Sequence, residues 1–256
     1  MSGFDVMISI IGWESPSQHH KYLTRYELIH LFTYFLIYFI NNRKDKMTEF
    51  IAHIGTDESG KGDFFGPLVI AGVLADEKAA EYFKELGIKD SKKLSDKKML
   101  MLAGEIKKTA PHSIIAISNS KYNELYANIK NLNKLLAWGH ARVIENILEK
   151  NRCEYALSDK FGDESLIESA LMKNGRTIRL EQMCKAESDI AVAAASVLAR
   201  ATFVEKMQAM EDNYGLKFQK GCSGLVKNVA AEFIGKYGKD RLKEVCKTHF
   251  KTYNEV

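Results

Sequence analysis

Acidic residues lie where the sequence predicts that strands end or a buried helix begins. Asp57 and Glu58 close one predicted strand, Asp159 closes another, and Glu187 stands just before a long apolar segment. In α/β sheets, sites form where strand ends meet helix starts, so we expect these side chains to converge. Converging carboxylates repel one another unless a cation lies between them, which makes a metal site the leading hypothesis.

Such a set of acids suits Mg²⁺ or Mn²⁺ acting on a phosphate ester. Mg²⁺ prefers oxygen ligands and keeps several waters, so a few carboxylates and substrate phosphate oxygens complete its shell. Two ions about 4 Å apart can stabilise both the attacking and the leaving oxygen of a phosphodiester, and no protein nucleophile is then needed. A single strand-end acid is more often a solvated turn residue. That interpretation is weaker for Asp57 and Glu58, because two adjacent charges followed by glycines pack poorly at the end of a strand.

Residues 55–61 also fit the G-x-x-x-x-G-K pattern of phosphate-binding NTPases. Position 62 is Gly, where that pattern needs a Ser or Thr hydroxyl for Mg²⁺. Asp57 and Glu58 would place negative charge inside the phosphate cradle. The residues after Gly62 predict a turn and a strand, not the helix N-terminus that holds phosphates. The sequence therefore disfavours an NTPase.

Alternating strands and helices surround these acids. Hydrophobic periodicity predicts strands over residues 50–56, 67–75, 112–118, 154–159 and 177–181. It predicts helices over residues 77–86, 96–109 (capped by Ser95), 133–150, 190–210, 223–237 and 240–248. The helix over 190–210 is Ala-rich and should be buried. No linker or internal repeat divides residues 47–256, which predicts one α/β domain.

Composition is that of an ordinary folded protein with a mild positive charge. Apolar residues make up 46 % and charged residues 27 %, and the net charge is +4. This balance permits nucleic acid as a partner without requiring it. The four cysteines form no C-x-x-C pair, which disfavours a zinc site and predicts a reduced, cytoplasmic protein.

Residues 1–46 differ in character from the rest of the chain. Residues 28–40 form a 13-residue apolar run rich in Phe and Tyr. That run is shorter than the about 20 residues needed to span a bilayer, and no small-residue cleavage site follows it. We interpret residues 1–46 as an N-terminal extension, either a mis-assigned start before Met47 or a weakly membrane-associated segment, with the first interpretation favoured.

Segments spread along the chain together resemble a known nuclease family. They are TDESGKGDFFGPL (56–68), KDSKKLSDKK (89–98), NLNKLLAWGHARVIENIL (131–148), SDKF (158–161), KAESDIAVAAASVLAR (185–200) and KYGKDRLKEVCKTHF (236–250). In this order they resemble ribonuclease HIII of the type 2 ribonuclease H family. Gly-Lys-Gly and AWGHAR favour the HIII over the HII type. The resemblance covers nearly all of residues 47–256.

The resemblance implies a fold and an activity. The fold is an α/β RNase H-like fold, with a central mixed sheet flanked by helices and a helical C-terminal part. The activity is endonucleolytic hydrolysis of the RNA strand of an RNA–DNA hybrid duplex, leaving 3′-hydroxyl and 5′-phosphate ends. It implies Mg²⁺ or Mn²⁺ as cofactor. We further expect no small-molecule cofactor, a monomer and no membrane association.

The resemblance also implies roles for particular residues. The catalytic metal ligands would be Asp57, Glu58, Asp159 and Glu187. The residues that contact the minor groove of the duplex would be Gly60, Lys61 and Gly62. Their backbone groups would approach ribose 2′-hydroxyls and so distinguish RNA from DNA. Phosphates would be held by Ser91, Lys92 and Lys93, which gives salt-dependent affinity.

Two departures from the family pattern leave alternatives open. The segment between Glu187 and the Ala run is one residue shorter than the pattern, so Asp189 rivals Glu187 as the fourth acid. Glu187 is favoured because Lys185-Ala186-Glu187 keeps the motif context, whereas Asp189 also suits the first turn of a helix. The family's N-terminal domain, which resembles the TATA-binding protein, has no counterpart in residues 1–46. This leaves the hybrid affinity and the HII or HIII substrate preference open, so cleavage at single ribonucleotides in DNA is one alternative. A second alternative is a non-catalytic hybrid-binding protein that relies on the basic loop and the glycines.

Three further residues are interpreted as structural. Trp138 and His140 lie in a helical pattern and are read as packing or helix-surface residues, since an isolated His within a helix is seldom catalytic. Asp163 follows its strand and Gly162, so it is read as a helix cap and not as a site acid.

Overall fold

A mixed sheet forms the centre of the protein. The computed structural model describes residues 50–88 and 94–256, together with Thr33. The strands of the sheet are β1 (His53–Ser59), β2 (Leu68–Ala75), β3 (His112–Ile117), β4 (Tyr155–Asp159) and β5 (Arg179–Met183), in the order β3-β2-β1-β4-β5. β2 is antiparallel to β1 and β3, whereas β1, β4 and β5 run parallel. The carboxyl ends of β1 and β4 therefore meet at one edge.

Helices cover both faces of this sheet. They are α1 (Glu77–Glu85), α2 (Asp96–Thr109), α3 (Asn119–Ile129), α4 (Leu132–Leu148), α5 (Glu164–Ala170), α6 (Ile190–Tyr214), α7 (Gly224–Tyr237) and α8 (Lys251–Glu255). Short 3₁₀ turns cover Gly175–Thr177, Ala186–Ser188 and Lys239–Glu244. Within the described part of the chain, no helix is long and apolar enough to cross a membrane. Phe50–Val256 forms one compact unit.

β1 is clamped between α6 on one face and α4 on the other. Gly55 faces α6, where a Cβ atom would lie 2.2 Å from the backbone carbonyl carbon of Ala191. Ile54 points the other way and packs with Ala137, Ala141 and other buried residues of α4. Successive strand residues point to opposite faces, so β1 presents its odd-numbered side chains to α6 and its even-numbered side chains to α4.

Replacing Gly55 with Ala is expected to destabilise the protein by about 3 kcal/mol or more, because the added methyl group meets helix backbone that cannot rotate away. For a protein of this size the midpoint of thermal unfolding should fall by roughly 10 °C. Gly104 in α2 is the matched control, because its Cβ position is open and Ala in a helix interior gains about 0.5–1 kcal/mol. Equal unfolding midpoints for the two variants would contradict the close approach of α6 to β1.

Most predicted elements are present, with shifted ends. Ser95 caps α2 by accepting from the amide of Lys98, and Asp163 caps α5 by accepting from that of Ser165, as predicted. β1 continues to Ser59, beyond the predicted end, because Glu58 and Ser59 still pair with Ile70 and Val69 of β2. β5 is shifted towards the C-terminus by its parallel pairing with β4.

Helix α3 was not predicted, although the sequence carried the signal. Tyr122, Leu125, Tyr126 and Ile129 recur at helical spacing and pack in the core cluster that contains Leu68. Ser118 caps this helix by accepting from the amide of Lys121.

The helix predicted over residues 240–248 is wrong. The segment forms the 3₁₀ turn Lys239–Glu244, and Cys246 then makes a β-bridge with Phe65. The ammonium group of Lys247 is fully buried and donates to the carbonyl oxygens of Asp63 at 2.8 Å and Gly66 at 2.6 Å. Burial lowers the pKa of Lys247 to about 7. These long-range hydrogen bonds to the loop after β1 replace helical hydrogen bonds. Local hydrophobic periodicity does not indicate them, because they join segments far apart in sequence.

Some predictions fall outside the described residues. They concern the substrate-binding residues Ser91, Lys92 and Lys93 and the N-terminal extension 1–46, including its boundary at Met47. These stay predictions.

Candidate active site

Asp57 and Glu58 leave β1 on opposite faces of the sheet. Asp57 turns towards α6, where the hydroxyl of Ser196 hydrogen-bonds its carboxylate. Glu58 turns towards α4, where His140 Nε2 lies 3.2 Å from Glu58 Oε2. The adjacent acids thus reach one cleft from both sides of the strand end, although they lie within the strand and not after it.

The environment of Asp57 penalises its charge. Burial and the neighbouring charge of Glu58 raise the pKa of Asp57 to about 6, even though Ser196 and the backbone amide of Glu58, 2.8 Å from Oδ1, stabilise the ionised form. A carboxylate with such a shift gains from a cation in the same cleft.

Glu58 is held in its charged form by two cationic or donor groups. Its side chain is 12 % exposed, and burial alone would raise its pKa. The hydrogen bond from His140, together with the charge of Lys61 3.4 Å from Oε1, outweighs burial and lowers the pKa of Glu58. The pKa values of the two adjacent acids are therefore shifted in opposite directions because their partners differ.

Asp159 and Glu187 are joined through a short turn. Oδ1 of Asp159 accepts from the backbone amide of Ala186 at 3.0 Å. Ala186 is fully buried and packs with Leu157 of β4 and Val192 of α6. This places the 3₁₀ turn Ala186–Ser188, and with it Glu187, beside the end of β4.

An open cleft of about 450 Å³ collects these groups. It is lined by Asp57, Glu58, Ser59, Gly60, Lys61, Gly62, Asp159, Glu187, Ser196 and Arg200. All four predicted acids and the whole Gly-Lys-Gly segment therefore lie at one site, although they come from three separate stretches of sequence.

Asp189, the rival fourth acid, is engaged elsewhere. It caps α6 by accepting from the backbone amides of Ala191 at 2.9 Å and Val192 at 3.0 Å. Its carboxylate also lies 2.9 Å from Nε2 of His53. Asp189 is among the described residues but does not line the cleft.

The two glycines of the Gly-Lys-Gly segment differ in whether the fold requires them. Gly60 has φ +88°, and a Cβ atom there would lie 2.1 Å from the carbonyl oxygen of Pro67, so the fold itself requires Gly. Gly62 has open space at its Cβ position and no such conformation. Nothing in the fold of the described chain requires Gly at position 62, and its surface is available to a ligand.

Two residues that line the cleft were not identified from the sequence, and a third contacts one of its acids. His140 is fully buried, which agrees with its interpretation as a packing residue and not with a helix-surface position, and its ring stacks on Phe161 with centroids 4.8 Å apart. Ser196 and Arg200 line the cleft from α6. Their signal was available, because they are polar residues four apart, and therefore on one face, in a largely apolar helix. Trp138 packs against the core, as predicted.

The donor set fits divalent cations that take oxygen ligands and keep water. Across residues 50–88 and 94–256, no three His, Cys, Asp or Glu side chains are close enough to enclose a metal by themselves. Mg²⁺ and Mn²⁺ are commonly bound by one or two carboxylates plus waters and substrate phosphate oxygens, and they need no protein cage. Carboxylates spread around an open cleft are consistent with that mode.

Carboxylates lie at the adjoining ends of β1 and β4, beside a glycine loop, in an arrangement that suits metal-dependent cleavage of phosphate esters. The family model for Ribonuclease HII matches residues 54–253. Ribonuclease HIII of Protochlamydia amoebophila is 44 % identical over 204 residues, covering 80 % of this chain and 68 % of that protein. Ribonuclease HIII of Chlamydia muridarum is 47 % identical over 206 residues, covering 79 % and 68 %.

A solved structure agrees in fold. The crystal structure of Bst-RNase HIII in complex with Mn²⁺ superposes with a TM-score of 0.75 at 32 % identity, covering 80 % of this chain and 68 % of that one. The chain belongs to the ribonuclease HII family, in the branch whose members are named ribonuclease HIII. It is a ribonuclease H, a hydrolase that cleaves the RNA strand of RNA–DNA hybrids, and the fold and activity expected from the sequence are confirmed.

Proposed function

We propose that this chain cleaves hybrids with Mg²⁺ or Mn²⁺ held by Asp57, Glu58, Asp159 and Glu187. The observation that carries the proposal is that the four acids line one cleft beside the Gly-Lys-Gly loop. When bound, such cations supply an activated water and stabilise the leaving oxygen. The similar Bst enzyme was crystallised with Mn²⁺, which supports the same donor chemistry here.

The protein's own groups prepare this site. Ser196 orients Asp57 on the α6 face. Lys61 offsets the charge of Glu58 and lines the cleft, where it is proposed to bind the substrate. Asp159 anchors the turn that carries Glu187. Ser91, Lys92 and Lys93 are proposed to hold phosphates further along the duplex.

The test compares two end-labelled duplexes, a full RNA–DNA hybrid and DNA with one ribonucleotide, with Mg²⁺ or with Mn²⁺. We expect cleavage of the hybrid to 3′-hydroxyl and 5′-phosphate ends, and its loss in Asp159→Asn. Cleavage at the single ribonucleotide as well would assign the HII-type specificity. Binding of the hybrid without cleavage of either duplex would favour the non-catalytic alternative.

Gly62 is proposed to lie against the minor groove of the hybrid, where a side chain would hold the ribose away from the site. Gly62→Ala should leave the thermal midpoint unchanged and lower kcat/KM for the hybrid at least about 10-fold, since small displacements of bound substrate are costly. Gly60→Ala is the contrasting variant, because its positive φ and close contact predict lost stability. Unchanged kcat/KM in Gly62→Ala would contradict the proposed contact.

The proposed setting is a monomer in the cytoplasm. All four cysteines are free thiols, which suits a reducing compartment.

A further inference from the structure

His140 reaches the site from α4, the helix that covers the even-numbered face of β1. Its side chain is fully buried, and both ring nitrogens have partners. Nδ1 lies 2.9 Å from the hydroxyl of Thr56, and Nε2 lies 3.2 Å from Oε2 of Glu58. Stacking on Phe161 holds the plane of the ring. The imidazole is therefore constrained in position and in orientation.

The chemistry of the partners assigns the direction of these hydrogen bonds. A carboxylate can only accept, so Nε2 carries a hydrogen and donates it to Glu58. In the neutral ring Nδ1 then accepts from the hydroxyl of Thr56. Thr56 and Glu58 are two residues apart on β1, hence on one face, so the strand supplies both partners of the ring.

Packing alone does not explain a histidine at this position. The buried residues around it on α4 are apolar, apart from Glu145. Glu145 has a structural task, since its carboxylate accepts from the backbone amides of Asn174 at 2.9 Å and Gly175 at 2.8 Å. The buried polar atoms of His140 are turned instead towards an acid of the cleft.

We propose that His140 is a positioning residue that orients the carboxylate of Glu58 for cation binding. This inference rests on the proposed metal site and adds a residue to it. Oε2 is held by His140, while Oε1 lies on the side of Lys61 and the loop that borders the cleft. Loss of a partner that orients a ligating side chain typically costs about 10–100-fold in metal affinity.

The experiment titrates Mn²⁺ into the metal-free full-length chain by isothermal calorimetry. We expect His140→Met, which keeps the volume but donates no hydrogen bond, to weaken Mn²⁺ binding about 10-fold or more. His140→Gln, whose amide can donate to Glu58, should recover most of the affinity. Thr56→Val removes the hydroxyl that orients the ring and should weaken binding by a smaller factor. Glu145→Gln is the matched control and should lower the thermal midpoint without changing Mn²⁺ affinity.

A double-mutant cycle separates positioning from general damage. In a Glu58→Gln background, His140→Met should weaken Mn²⁺ binding no further. Wild-type affinity in His140→Met and Thr56→Val, alongside lost binding in Asp57→Asn, would overturn the positioning role and leave the metal site standing. Equal weakening by Glu145→Gln would also overturn it. Absence of Mn²⁺ binding by the wild type would overturn the metal site and this inference together.

Discussion

Asp57→Asn is expected to abolish cleavage while making the metal-free protein more stable. Burial and the charge of Glu58 raise the pKa of Asp57 to about 6, so its ionised form destabilises the folded state at neutral pH. A neutral amide removes that cost, which amounts to roughly 1–3 kcal/mol for a shift of this size. The thermal midpoint in EDTA should rise by several degrees.

The same substitution removes a proposed metal ligand. The several kcal/mol that a bound cation contributes to the transition state correspond to a loss of at least about 1,000-fold in cleavage rate. Mn²⁺ should raise the midpoint of the wild type and not that of Asp57→Asn, because only the native state of the wild type binds it.

Single-turnover cleavage of the hybrid and thermal unfolding with and without Mn²⁺ measure the two effects. Asp163→Asn is the control: Asp163 is an exposed cap of α5, so this variant should keep both activity and Mn²⁺ stabilisation. A lower thermal midpoint for Asp57→Asn than for the wild type in EDTA would contradict this prediction, because the loss of cleavage would then be attributed to unfolding and not to the loss of a ligand.

Substitutions of Glu187 and Asp189 are expected to have opposite effects: the first should lower cleavage activity, and the second should lower stability. Glu187→Gln should lose cleavage by at least about 1,000-fold, for the reason given for Asp57. Its stability should change by no more than about 0.5 kcal/mol, as is usual for a partly exposed side chain. Glu187 lines the cleft, so the substitution removes a proposed metal ligand.

Asp189→Ala should show the reverse pattern. It removes a cap that accepts from two backbone amides and an ion pair with His53, and losing such a cap costs about 1–2 kcal/mol. Cleavage at 25 °C should be largely retained, because the variant is still folded there. Urea unfolding and hybrid cleavage of both variants check the pair. An inactive Asp189→Ala protein of wild-type stability would move the fourth ligand to Asp189.

The sequence alone determined the class of fold and identified the four acids that line the cleft. Strand and helix periodicity placed Asp57, Glu58 and Asp159 at strand ends, and parallel strands bring such ends to one edge. Caps were readable as well, since Ser95 and Asp163 act within three residues of their own positions. These features depend on local spacing, which a sequence displays directly.

Tertiary structure decided the partners of these residues. The choice between Glu187 and Asp189 as the residue facing the cleft depended on His53, which lies 136 positions from Asp189 in sequence and binds it. The contact of His140 with Glu58 depended on α4 crossing the even-numbered face of β1. Residues 245–247 do not form the predicted helix, because Cys246 pairs with Phe65 and Lys247 binds the loop after β1. Contacts between distant segments outweigh local propensity of about 1 kcal/mol or less per residue, so periodicity could not reveal them.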